Sequence, residues 1–108
     1  MIQIAIVDDE SRQIKIIQQS IQNFFRQKNR ADDYRIDTFH SGESLLSCSR
    51  AYDLIFLDIQ MNGMDGIETA KKIRTWDRKV CVIYVSNYTE KMAASFTVHP
   101  FSFLTKPI

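Results

Sequence analysis

Four short apolar runs in this chain each break off into a residue able to handle phosphate or a metal ion. Ile4-Ala5-Ile6-Val7 runs into Asp8-Asp9, Leu54-Ile55-Phe56-Leu57 into Asp58, Val82-Ile83-Tyr84-Val85 into Ser86, and Phe103-Leu104-Thr105 into Lys106. Parallel strands of one open sheet collect such terminal residues in the crevice beyond their carboxyl ends, where α/β folds place their ligands. The pattern therefore constrains fold and chemistry together: it predicts a Mg²⁺-assisted aspartyl phosphorylation site at one edge of a sheet.

Period-2 or continuous runs rich in Ile, Val, Phe and Tyr mark five strands, near Ile2 to Val7, Tyr34 to Phe39, Asp53 to Leu57, Val80 to Val85 and Phe101 to Leu104. Between the first two, Ile14, Ile17, Ile21, Phe24 and Phe25 recur at helical spacing, which predicts a helix from about Ser11 to Gln27 laying one apolar stripe on the sheet. Asp65 with Glu68 three residues later has the form of a capping box and starts a helix carrying Ile67, Ala70 and Ile73. Helices near Ser41 to Cys48 and Thr89 to Phe96 complete the alternation. Strand alternating with helix implies right-handed crossovers and a parallel sheet covered on both faces, the doubly wound α/β architecture.

At 108 residues the chain is expected to form one domain spanning 1–108, with no effector domain of its own. A last helix covering the sheet beside the fifth strand is expected and is missing, since the sequence stops at Lys106-Pro107-Ile108. An apolar patch near Phe101, Phe103, Met92 and Phe96 would then favour self-association. The 14 Lys and Arg nearly balance the 13 Asp and Glu, so neither a nucleic-acid footprint nor attraction to an anionic membrane is indicated. The longest wholly apolar stretch, Val80 to Val85, falls far short of the roughly 20 residues of a membrane helix, and a cytoplasmic location is expected. Cys48 and Cys81 lack metal-ligand spacing and read as buried structural thiols.

Carboxylates forced close together repel by about 4 kcal/mol per pair at an effective dielectric near 20, and a dication removes that penalty. Mg²⁺ takes oxygen ligands and keeps several waters, which suits Asp9 and Asp58, Asp8 acting directly or through a water, and a main-chain carbonyl of the following loop, that of Gln60. With its charge screened, Asp58 can act as a nucleophile on a phosphoryl group. Lys106 would neutralise a further phosphoryl oxygen as a point charge, and Ser86 would donate a hydrogen bond to the same group.

In order and context, Val7-Asp8-Asp9, Leu57-Asp58, Met64-Asp65-Gly66, Ser86 and Lys106-Pro107 resemble the receiver domain of two-component response regulators. The resemblance implies a flavodoxin-like sheet in the order 2-1-3-4-5, phosphorylation of Asp58 by a sensor histidine kinase, Mg²⁺ organised by Asp8 and Asp9, and phosphoryl oxygens bound by Lys106 and Ser86. It further implies output through the fourth helix and fifth strand, where a homodimer could form, a switch pairing Ser86 with Phe103, and control of transcription by a DNA-binding domain absent from this chain. Ser95-Phe96-Thr97-Val98 followed by Phe103-Leu104-Thr105-Lys106-Pro107 is similar to receivers of LytTR-type regulators. Kinase docking on the first helix, as in the family, would involve Gln13, Ile16 and Ser20. Three positions depart from the family pattern: Asn62 replaces a proline, Asn87 a small residue, and Phe103 the common Tyr.

Plainer readings stand beside these. Asp8-Asp9 alone would be a polar strand end, Ser86 a loop hydroxyl, and Phe103 half-buried core; it is Asp58 and Lys106 together with them that make a site. His40, His99 and Trp76 are assigned no function. A phosphotransfer enzyme of the haloacid-dehalogenase type also uses a strand-end Asp with Mg²⁺, but needs an acid where Gln60 stands. A third class is an interaction module that keeps the fold without phosphorylation. Gln60 and Tyr88 flank the expected path of attacking water.

Overall fold

The apolar runs lie side by side as parallel strands. The computed structural model describes residues 1–29, 33–48, 50–86 and 102–105, with backbone alone at 86 and 102–105. The element order is β1 (Ile2–Val7), α1 (Ser11–Gln27), β2 (Tyr34–Phe39), α2 (Gly42–Ser47), β3 (Leu54–Asp58), α3 (Gly66–Arg74), β4 (Cys81–Ser86) and β5 (Ser102–Thr105). The sheet order is β2-β1-β3-β4-β5, every neighbouring pair parallel.

Side-chain alternation divides the core into two layers. Ala5, Val7, Ile55, Leu57, Val82 and Tyr84 pack with Leu45 of α2 and with Ile67, Ala70 and Ile73 of α3. Ile4, Ile6, Phe56 and Val85 face the opposite way and pack with Ile14, Ile17, Ile21 and Phe25 of α1. Each Val, Leu, Ile or Phe side chain among these contributes about 1.5–3 kcal/mol on burial. Beside α1 this second face opens into a nearly wholly apolar hollow of about 310 Å³, lined by Ile2, Ile4, Phe24, Leu54 and Phe56 among others.

Several details differ from the sequence reading. β3 and β4 each begin and end one residue later than hydropathy indicates, and β5 runs on to Thr105, because the ladder continues into the polar terminal residue: Asp58 pairs with Val85, and Ser86 with Thr105. On α1, Phe24 is 55% exposed and meets Phe25 edge-on, instead of joining the stripe. Gln13 takes a place inside, 9% exposed, because it lies four and eight residues before Ile17 and Ile21. Cys48 and Cys81 are only partly buried, because Cys48 comes just after the last residue of α2 and Cys81 is the first residue of β4. The expected helix Thr89 to Phe96, with Met92, and the residues Asn87, Tyr88 and Phe101 lie outside the described residues. None of the described helices is long and apolar enough to cross a membrane.

Candidate functional site

Register alone brings the principal acids together. Val7 of β1 pairs with Leu57 of β3, so the next residues in each strand, Asp8 and Asp58, stand side by side at the carboxyl edge. Both are buried, Asp8 completely and Asp58 to 4% exposure, while Asp9 is half-buried. One oxygen from each of Asp8, Asp9 and Asp58 lies within 4.8 Å of the others. Hydrogen bonds from the main chain orient all three: Glu10 N–H donates to Asp8 Oδ1 (3.0 Å), Gln60 N–H to Asp58 Oδ1 (3.3 Å) and Asn62 N–H to Asp9 Oδ2 (3.1 Å). The first two are local bonds to the residue two ahead, the turn-forming habit of Asp.

The next helix is seated against the strand that carries Asp58. Gly66 packs so tightly on the main chain of Asp58 and Ile59 that a Cβ there would collide with the Asp58 carbonyl oxygen. Its N–H donates to the Ile59 carbonyl at 2.8 Å. Asp65 caps α3 by accepting the Glu68 N–H at 2.8 Å, as its spacing predicts. Between the strand and this helix, the loop is held by Glu43 of α2, whose Oε2 accepts the Met64 N–H at 3.3 Å. Glu43 escaped the sequence reading because its contact joins residues 21 apart and leaves no local pattern.

Three carboxylates in and around a buried edge are a costly arrangement for negative charge alone, and an all-oxygen set with no nitrogen or sulfur suits a hard dication such as Mg²⁺, Ca²⁺ or Mn²⁺. The residues present therefore fit such an ion. Ser86 is in place as the last residue of β4, its backbone paired with Thr105. The side chains of Ser86 and Phe103, and Lys106 and Pro107 entirely, lie outside the described residues. On α1, Ile16 is 37% exposed and Ser20 is exposed, its hydroxyl donating to the Ile16 carbonyl; the buried Gln13 presents no comparable surface. His40 at the end of β2 shares a 2.9 Å hydrogen bond with the Ser11 hydroxyl.

A second polar cluster stands apart from the acids. The Tyr52 hydroxyl donates to Asp37 Oδ2 at 2.7 Å, with the guanidinium groups of Arg35 and Arg50 at 3.4 and 3.5 Å from the same carboxylate. The Tyr52 bond chiefly, helped by the two arginines, holds Asp37 below the usual carboxylate range despite its partial burial. Burial first, and this carboxylate second, push the Tyr52 phenol up. Cys48 is drawn below the usual thiol value by a main-chain bond from Arg50 and by the Tyr52 hydroxyl, 3.7 Å from its sulfur.

The sequence profile of the response regulator receiver domain matches residues 4–108. The sensory transduction protein LytT of Oceanobacillus iheyensis is 31% identical over 110 residues, which cover 98% of this chain and 42% of that protein. The chain thus spans about two-fifths of this relative's length. Among solved structures, the response regulator DrrB of Thermotoga maritima, an OmpR/PhoB homologue, superposes with a TM-score of 0.85 at 24% identity, over 100% of this chain and 46% of that one. The response regulator TrrA of the same organism, solved in complex with Mg²⁺ and BeF, superposes with a TM-score of 0.77 at 29% identity, over 100% of this chain and 89% of that one. These likenesses agree with the observed parallel α/β sheet, the flavodoxin-like receiver fold.

Proposed function

The chain belongs to the response regulator receiver domain family, and from that membership we propose that it is a phosphorylation-controlled switch with Asp58 as phosphoacceptor. The observation that carries the proposal is the convergence of one oxygen each from Asp8, Asp9 and Asp58 within 4.8 Å at the ends of β1 and β3. These three acids and the Gln60 main-chain carbonyl would hold Mg²⁺. When bound, the ion neutralises the acids and the incoming phosphoryl oxygens. An Asp58 oxygen bonds to phosphorus as the P–N bond to a sensor-kinase histidine breaks, and the departing imidazole takes up a proton. Lys106 and Ser86 hold the phosphoryl oxygens, and Ser86 with Phe103 passes the change on. The domain is a switch and not a turnover enzyme.

For the whole protein, the reading extends to a partner kinase that docks on the exposed face of α1 at Ile16 and Ser20, and to a cytoplasmic setting. It also extends to a following DNA-binding domain of the LytTR type that regulates transcription, a subfamily assignment supported by the LytT likeness. Homodimerisation through the fourth helix and β5 is the proposed route of output. Incubation with acetyl phosphate and Mg²⁺ followed by mass spectrometry tests the core of this. One phosphoryl adduct is expected on the wild type and none on Asp58→Ala. An adduct that survives Asp58→Ala, or steady turnover of small phosphoesters, would overturn the proposal.

A further inference from the structure

The loop between β3 and α3 is held on two sides by carboxylates from other elements. On one side the Asn62 N–H donates to Asp9 Oδ2, and on the other the Met64 N–H donates to Glu43 Oε2. Gly63 lies between them at φ +76°, and a Cβ placed there would come within 2.9 Å of Glu43 Oε2, so this carboxylate is seated directly against the turn. Its own position is braced. Glu43 stands in the first turn of α2, whose N-cap Ser41 accepts the Ser44 N–H at 3.1 Å. The neighbouring Gly42 backs onto the buried Thr69 of α3 with no room for a methyl group.

The two carboxylates are not equivalent. Asp9 gives an oxygen to the acid cluster while it also holds Asn62, whereas Glu43 is not a member of that cluster. A cation that took Asp9 Oδ2 would compete with the Asn62 N–H for that oxygen, and residue 62 has no proline ring to fix the chain once that bond loosens. We propose that Glu43 is a positioning residue for the divalent-cation site. Through metal binding it keeps Gly63 and Met64 in place, so that the Gln60 main chain stays at the site as Asp9 turns from Asn62 to the ion. This inference rests on the reading of the acids as a Mg²⁺ site and adds a residue outside the ligand set.

The test is calorimetric titration of Mg²⁺ into the wild type, Glu43→Ala and Glu43→Gln, paired with amide hydrogen exchange at Asn62 and Met64 followed by NMR. Glu43→Ala is expected to bind Mg²⁺ about five-fold more weakly, the effect of one net hydrogen bond. Glu43→Gln retains an accepting oxygen and is expected to recover most of the loss. In the wild type, Mg²⁺ is expected to speed exchange at Asn62 and leave Met64 protected. Unchanged affinity in Glu43→Ala overturns the proposal, and so does a Glu43→Gln as weak as Glu43→Ala, which would mean that charge acts through space. If Glu43→Ala does not fold by circular dichroism, the wild-type exchange decides, and loss of Met64 protection on adding Mg²⁺ overturns it. A wild type that takes up no Mg²⁺ removes the site reading together with this inference; normal uptake with an indifferent Glu43→Ala removes the inference alone.

Discussion

The Asp37 carboxylate draws its stability from a tyrosine hydroxyl and two guanidinium groups, and that fixes the direction in which acid acts on it. Its folded-state pKa lies below the unfolded value of about 3.9, so the stabilisation is complete above that value and is lost as pH falls through the lower folded one. Tyr52→Phe removes the leading cause. Thermal unfolding followed from neutral pH down to about pH 2 is expected to show a stability difference between wild type and Tyr52→Phe that is constant at the neutral end and shrinks on the acid limb. A difference that grows on acidification would contradict this account. None of the cluster was legible in the sequence, because Asp37 and Tyr52 are 15 residues apart, one on β2 and the other in the loop before β3. The site acids were legible for the opposite reason. Asp8 and Asp58 each terminate an apolar run, and a run's end marks its place in a parallel sheet whatever the partner strand is.

At the scale of elements, α3 is fastened to the end of β3 at a point where only glycine fits. Gly66→Ala pushes a methyl group into the main chain of Asp58 and Ile59, which must shift the helix, the end of β3 or both. Overpacking of this kind costs about 1–3 kcal/mol. Urea unfolding is expected to show that loss, and phosphoryl uptake at Asp58 is expected to fall beyond what the unfolded fraction explains. Full uptake in a destabilised variant would show that the helix moves and the strand does not. The helix itself was readable from Asp65 and Glu68, but its close seating was not, since a glycine's neighbours are invisible in one dimension. The α1 stripe was readable in period and not in width. Phe24, 55% exposed, meets Phe25 edge-on at the rim of the hollow, and Gln13, polar yet on the buried row with Ile17 and Ile21, shows that position on a helix can override side-chain polarity.

Over the whole molecule, the proposed switch must move a conformational equilibrium. A swing from 1:99 to 99:1 needs about 5.5 kcal/mol, and two charge-assisted hydrogen bonds from Ser86 and Lys106 at roughly 1.5–3 kcal/mol each reach that only near the top of their range, with the proposed dimerisation contributing the rest. Trp76, the chain's one tryptophan, stands at the other end of this machinery. It follows the last turn of α3, is 65% exposed, and borders the cavity of about 500 Å³ near Cys48 and Tyr52, while Gly66 at the helix start packs on the Asp58 main chain. Nine helical residues put about 13 Å between the two ends. Intrinsic emission is therefore expected to stay flat while calorimetry records Mg²⁺ uptake, and a clear spectral shift on saturation would reveal motion transmitted along α3. The molecule carries its natural fluorophore where the chemistry is out of earshot, so a silent indole would be no sign of an empty crevice.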